Sequence, residues 1–288
     1  MTPENISIPK SGWDLTIRPR RAWWDLRLGD LWRYRDLIIL LVRRDFVSAY
    51  KQTVLGPLWY LIQPIASTIV FTVIFGNVAK LPTDGLPPFI FYMAGNTIWS
   101  FFSASLASNA NTFVSNASIF GKVYFPRLVV PVSVVISSLI SFSIRFGVFL
   151  VFVLYFIFSG SEVHFNAWAL TLPFLLFLMG GLGLGIGIII SSLTTKYRDF
   201  QQLVGFGIAL LMYATPIIYP LSMVADKWRW LFLFNPITPV VETFRLGFLG
   251  ASSISPWYLF YTLGFTLTTL LIGVLLFNHV EISFMDTV

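Results

Sequence analysis

The residues that could do chemistry in this chain are suited to holding and releasing a ligand without covalent change. Tyr60, Gln63, Ser67, Phe71 and Ile74 recur at helical spacing, and Tyr92, Asn96, Trp99 and Ser103 do the same one apolar stretch later. Each stripe mixes aromatic rings with amides and hydroxyls, which is out of place against lipid. Phe206 and Tyr213 add two further rings. For any single aromatic the plainer reading is packing or lipid contact, because Phe, Trp and Tyr make up 17% of the chain. Arg145 and Glu242 are charges set among apolar neighbours. Covalent and metal chemistry lack the necessary groups. There is no Cys, His164 and His279 lie too far apart in sequence for a local metal motif, and the acids are scattered. Catalytic and metal-ligating residues are therefore expected to be absent.

The elements that must position these groups follow from the charge distribution. Between Gln52 and Val280 only 14 residues are charged, in short clusters separated by long charge-free apolar stretches. The stretches 52–79, 85–121, 163–195, 200–225 and 246–280, and 128–161 with its one interruption at Arg145, can each cross a ~30 Å hydrocarbon core as a helix. The composition, 56% hydrophobic and 11% charged with mean hydropathy +0.78, agrees with an integral membrane protein. With six spans and a cytoplasmic N-terminus, inner segments carry fourteen basic residues and outer loops four, so both termini are predicted to face the cytoplasm. The polar, charged first 36 residues predict no cleavable signal peptide. Ten of the nineteen basic residues precede Gln52, and a membrane surface explains them better than nucleic acid does.

Residues 1–56 read as a cytoplasmic region and 57–288 as the transmembrane domain. Within the first, Arg20 to Val47 sets Trp23, Trp24, Leu28, Leu31 and Trp32 among Arg21, Arg27, Arg33 and Arg35. It predicts an amphipathic helix at the inner interface, with packing on a partner protein as the alternative. Spans are predicted at about 58–78, 89–112, 128–158, 169–193, 200–219 and 257–278. Gly181, Gly183, Gly185 and Gly187 of the fourth predict close helix packing. Residues 228–250 are too apolar for an ordinary loop, and Pro236 and Pro239 divide them into pieces too short to cross. They predict a re-entrant helical hairpin turning near Asn235-Pro236, tolerable at membrane depth only beside protein or a watery cavity.

Four segments together resemble the membrane subunits of the type 2 ABC exporter family, specifically those exporting O-antigen, teichoic acid and other polysaccharides. They are Arg43-Arg44-Asp45 with Tyr50-Lys51-Gln52-Thr53 and Leu55-Gly56-Pro57-Leu58-Trp59; Asn116-Ala117-Ser118 with Lys122-Val123-Tyr124-Phe125-Pro126-Arg127; Tyr197-Arg198-Asp199 with Thr215-Pro216-Ile217-Ile218-Tyr219-Pro220; and Asn235-Pro236-Ile237-Thr238-Pro239 with Glu242 and Arg245. The resemblance implies a homodimeric permease of the bacterial inner membrane, paired with two copies of a separate subunit that binds ATP and Mg. It implies no cofactor in this chain, which contains no G-x-x-x-x-G-K-[ST] phosphate loop. It also implies that Asn116, Ser118, Phe120, Lys122 and Arg127, with Arg43, Arg44 and Asp45, couple to the ATPase; headgroup binding is the plainer role for the basic ones.

For a lipid-linked polysaccharide, hydroxyl-rich but with apolar C–H faces, aromatic platforms and weak hydrogen bonds are the expected contacts. The resulting expectation is a path lined by spans one, two and five, through Tyr60, Gln63, Ser67, Phe71, Tyr92, Asn96, Trp99, Ser103, Phe206 and Tyr213. Arg145, too deep to snorkel easily, is left with three possible partners: Glu242, backbone carbonyls or the pyrophosphate of a lipid-linked glycan. A small-molecule or lipid efflux permease is the rival within the family. A secondary transporter should show internal repeats or coupling carboxylates in its spans, and a membrane glycosyltransferase an acid or His cluster at the membrane face; neither pattern occurs.

Overall fold

Prolines mark where several helices begin, and a left-handed glycine marks where one ends. The computed structural model describes residues 28–51, 53–120, 125–194, 199–252, 254–255 and 257–284. Among them there are helices and no strand. Arg21, Trp23, Trp24, Arg27, Gln52, Lys122, Val123, Tyr124, Tyr197 and Arg198, named above, lie outside the described residues. Helices α1 (Leu28–Arg33) and α2 (Arg35–Tyr50) precede α3 (Trp59–Phe71), which continues as a π-helical segment, Thr72–Val78. Then come α4 (Pro88–Ala110), the single turns α5 (Thr112–Ser115) and α6 (Ala117–Phe120), and α7 (Val129–Phe158). A 3-10 segment, Ala167–Thr171, leads into α8 (Leu172–Thr194), followed by α9 (Phe200–Tyr213), α10 (Asp226–Phe234), α11 (Thr238–Leu249) and α12 (Tyr258–Phe284). Proline occupies the first turn of α4 and of α11, where its missing N–H costs no helical bond. Gly250, at φ +80°, closes α11 with its N–H on the Leu246 carbonyl.

Four helical stretches are long and apolar enough to cross a membrane: Trp59–Val78, Val129–Phe158, Ala167–Thr194 and Tyr258–Val280. The chain is a multi-pass membrane protein. At 30 residues α7 measures about 45 Å, longer than a ~30 Å hydrocarbon core. α4 is more polar for a reason visible in its packing: 15 of its 23 residues are buried, so most of its surface meets protein. α9 stops at Tyr213, short of the predicted Tyr219. Pro216 cannot continue a helical ladder and disfavours helical backbone at Thr215 before it.

The glycines of α8 explain how the centre closes. A Cβ at Gly183 would lie 2.8 Å from Ser105 Cβ, and one at Gly187 2.5 Å from Asn109 Cβ, both on α4. A Cβ at Gly181 would meet Thr266 at 2.7 Å, and one at Gly185 the Leu270 nitrogen at 2.9 Å, both on α12. Glycines two apart face opposite ways on a helix, so α8 is clasped between α4 and α12 at backbone distance. The N-terminal helix turns one face inward. Ile38, Leu41 and Val42 of α2 join Phe113, Phe120, Phe125, Val129 and Phe277 in one buried cluster, while Trp32, Ile39 and Leu40 remain exposed.

Candidate functional site

The two mixed stripes meet each other. Asn96 of α4 donates from Nδ2 to Ser67 Oγ of α3 at 2.9 Å, and Ser141 of α7 donates to the Tyr60 hydroxyl at 2.8 Å. Phe71 packs edge-on against Tyr92, which is fully buried, and Trp99 is 4% exposed against Phe102. Ser103 is half-buried and bonds the Ser100 carbonyl. The sequence reading places all of these groups along an open path; within the protomer Tyr92 and Trp99 are buried. Most of the stripe residues join α3, α4 and α7, because polar groups buried in a membrane domain find partners on neighbouring helices. Gln63, Phe206 and Tyr213 do remain exposed, and on α9 the two rings share an outward face with Leu203 and Leu210.

The Thr215–Pro220 part of the third motif and the fourth motif form one structure. Arg245 of α11 is wholly buried and donates from Nη1 to the Pro216 carbonyl at 2.6 Å and from Nη2 to the Ile217 carbonyl at 2.7 Å. Its Nη1 also lies 3.3 Å from Glu242 Oε1, and its guanidinium sits 3.8 Å over the Phe91 ring. Gly95 leaves the required room, since a Cβ there would come within 2.9 Å of the guanidinium. Asn235 completes the joint. Its Nδ2 donates to Thr215 Oγ1 at 2.8 Å, and its Oδ1 accepts from the Ile237 N–H at 3.0 Å, fixing the turn between α10 and α11. The Pro236 carbonyl accepts from Thr262 of α12 at 2.9 Å. Eleven of the twelve α11 residues are buried, whereas α10 is largely exposed.

Two further groups of candidate residues have their surroundings defined within the protomer. Glu242 is not the partner of Arg145: its carboxylate takes Arg245 and accepts from Ser252 at 3.2 Å. Arg145 instead lies with its guanidinium 5.8 Å from the Tyr60 ring and makes no ion pair among the described residues. In the loop expected to meet the ATPase, Asn116, Phe120 and Arg127 are buried. Phe120 packs between Phe113 and Phe125, and the Arg127 guanidinium lies 5.4 Å over its ring. The loop is held to α8 by the Phe113 N–H on Ser191 Oγ at 3.2 Å, and Phe113 stacks on Phe277 of α12 at 4.5 Å. These side chains shape the loop from within; among its described side chains Val114 and Ser115 are exposed. Ser118 lies in α6, and Arg43 and Arg44 are exposed on α2, with Arg44 2.7 Å from Asp45.

One feature was missed in the sequence. Ser137, Ser141 and Arg145 follow each other at four-residue intervals on α7 and face a cavity of about 750 Å³ bounded by α2, α3 and α4. That interval places them on one helix face and could have revealed it.

Among known proteins, the chain matches the ABC-2 type transporter family over residues 36–249. It is 29% identical over 255 residues to the O-antigen export system permease protein RfbA of Klebsiella pneumoniae, covering 87% of this chain and 94% of that protein. The polysialic acid transport protein KpsM of Escherichia coli is 26% identical over 247 residues, covering 84% and 92%. The inner membrane transport permease YadH of Escherichia coli K12 is 26% identical over 205 residues, covering 67% and 77%.

Proposed function

Because this chain belongs to the ABC-2 type transporter family, whose membrane permeases neither hydrolyse ATP nor bind a cofactor themselves, we propose that it exports a lipid-linked polysaccharide of O-antigen type across the bacterial inner membrane. Energy comes from ATP and Mg bound by a separate subunit. The observation that carries the substrate class is likeness along nearly the whole chain to two polysaccharide exporters, one of O-antigen and one of polysialic acid. The exposed rings Phe206 and Tyr213 support a path beside α9. Its 14 residues reach about 21 Å, short of a ~30 Å hydrocarbon core. The irregular backbone that follows is surrounded by protein at residues 215–220, with Arg245 on two of its carbonyls.

In this reading α3, α4, α7, α8, α9 and α12 are six spans, α10 and α11 re-enter from the outer side, and both termini are cytoplasmic. Residues 1–56 form the interfacial region and 57–288 the membrane domain. Two copies pair, each with one ATP-binding subunit. The outward rings Phe206 and Tyr213 with Gln63 face the path, which the buried Tyr92 and Trp99 support from behind. Arg43, Arg44, Asp45, Lys122 and the outer surface of the α5–α6 loop meet the ATPase. Phe120 and Arg127 hold that loop in shape.

The test is ATPase activity of the chain co-expressed with its ATP-binding subunit in nanodiscs, with and without lipid-linked oligosaccharide. Stimulation by the glycolipid is the expected result. A stable complex indifferent to it would contradict the polysaccharide reading and turn attention to small-molecule or lipid efflux.

A further inference from the structure

The cavity beside Arg145 differs from the rest of the membrane domain. It runs along one face of α7 from Val134 to Arg145, about 17 Å, with α4 opposite through Ala104, Ala107 and Asn111. Its volume of about 750 Å³ falls in the range of small-ligand sites. Arg44, Asp45 and Phe46 of α2 line it, and Arg145, about 24 Å along α7 from Val129, lines it with Tyr60 and Ser141. Three ionisable side chains of fixed charge line it: Arg145, Arg44 and Asp45. The Arg44–Asp45 pair, at 2.7 Å, cancels itself. Arg145 has no such pairing and makes no hydrogen bond or ion pair among the described residues, its one close partner being the face of the Tyr60 ring. Ser137 adds a second unmet group, an Oγ buried without a hydrogen-bond partner on the same wall.

A guanidinium inside a membrane domain without a counter-charge is costly, and such residues are almost always paired or set in a polar cavity where a ligand can reach them. Its planar fork of donors matches phosphate oxygens two at a time. The two serines at four and eight residues before it supply hydroxyls along the same groove. Ala104 and Ala107 keep the facing wall open. We propose that this cavity is a binding chamber for a phosphate-bearing lipid headgroup, with Arg145 as the phosphate ligand and the α7 hydroxyls hydrogen-bonding the groups beside it. The headgroup can come from a polyprenyl diphosphate carrier or from an anionic phospholipid of the surrounding membrane. The carrier identity rests on the exporter reading; the anion site does not.

The experiment measures equilibrium binding of radiolabelled geranylgeranyl diphosphate to the complex of this chain with its ATP-binding subunit in phosphatidylcholine nanodiscs. It is repeated in discs that contain phosphatidylglycerol. Arg145→Gln is expected to weaken binding at least tenfold, and Arg145→Lys by less, because an ammonium keeps the charge but not the fork. Ala107→Leu, which fills the chamber and leaves Arg145 in place, is expected to weaken it at least tenfold too; this variant decides the matter if Arg145→Gln fails to assemble. Arg145-dependent binding that phosphatidylglycerol leaves unchanged supports the carrier as occupant. Arg145-dependent binding displaced by phosphatidylglycerol supports the same site filled from the membrane. Native-like affinity in both Arg145→Gln and Ala107→Leu overturns the chamber, as does a native complex that binds neither lipid. Stimulation of ATPase activity by glycolipid is read separately, so a chamber that fails this test leaves the export reading standing or falling on its own.

Discussion

Arg245 shows why one side chain can hold two distant segments together. Its guanidinium satisfies two consecutive carbonyls that the break after α9 would otherwise leave unpaired, and it neutralises Glu242 in the same buried space. Removing it takes the shared donor from both carbonyls and the paired cation from Glu242, which keeps its bond from Ser252. Arg245→Leu is expected to destabilise the protein by about 3–5 kcal/mol, the usual cost of breaking a buried pair from one side, read as a lower midpoint of thermal unfolding in detergent. Arg245→Lys should fall between, since a point charge cannot reach both carbonyls in the plane that Arg spans. A native-like midpoint for Arg245→Leu would show that the joint contributes little. The contrast is Asn96, whose bond to Ser67 is a single neutral contact between helices. Asn96→Ala is expected to cost no more than about 1–2 kcal/mol, checked by the same melt.

At the scale of elements, the glycines separate packing from path. Gly187 touches α4 so closely that Gly187→Val is expected to cost about 1–3 kcal/mol through overpacking, measured by thermal unfolding. Gly205 and Gly207 of α9 have nothing within 4 Å within the protomer. Gly207→Leu should therefore leave the melt unchanged yet reduce export if α9 borders the path, and unchanged export would argue against α9 there. Helix positions were legible because long apolar runs broken by charge and proline leave little choice of element. Close packing of α8 was legible from its glycines alone. The stripes on α3 and α4 were legible as polar faces but not as a contact, because a helical period gives the direction of a face and not what lies opposite it. Glu242 and Arg245 lie three residues apart on α11, a spacing that was itself a signal for the pair; what was not legible is that Arg245 also takes the carbonyls of Pro216 and Ile217. Phe120 and Arg127 are assigned to coupling by resemblance alone, which says nothing of burial; they pack in a cluster with Phe113 and Phe125.

For the whole molecule, the exposed apolar faces of α3 and α9, the exposed side of α2 and the loop formed by α5 and α6 are what a single protomer leaves for lipid, a second copy or an ATP-binding subunit. Arg43→Glu, on the exposed side of α2, is expected to weaken co-purification with the ATP-binding subunit without lowering the unfolding midpoint. Full recovery of the complex would remove α2 from the contact. Export itself is tested most directly in inverted inner-membrane vesicles holding this chain and its ATP-binding subunit, supplied with radiolabelled lipid-linked glycan on the outer, cytoplasmic face. The measured quantity is glycan protected from an added glycan hydrolase after ATP is given. The account predicts ATP-dependent protection that is absent when this chain is omitted; equal protection with and without the chain, or none under either condition while the assembled complex hydrolyses ATP, would contradict it.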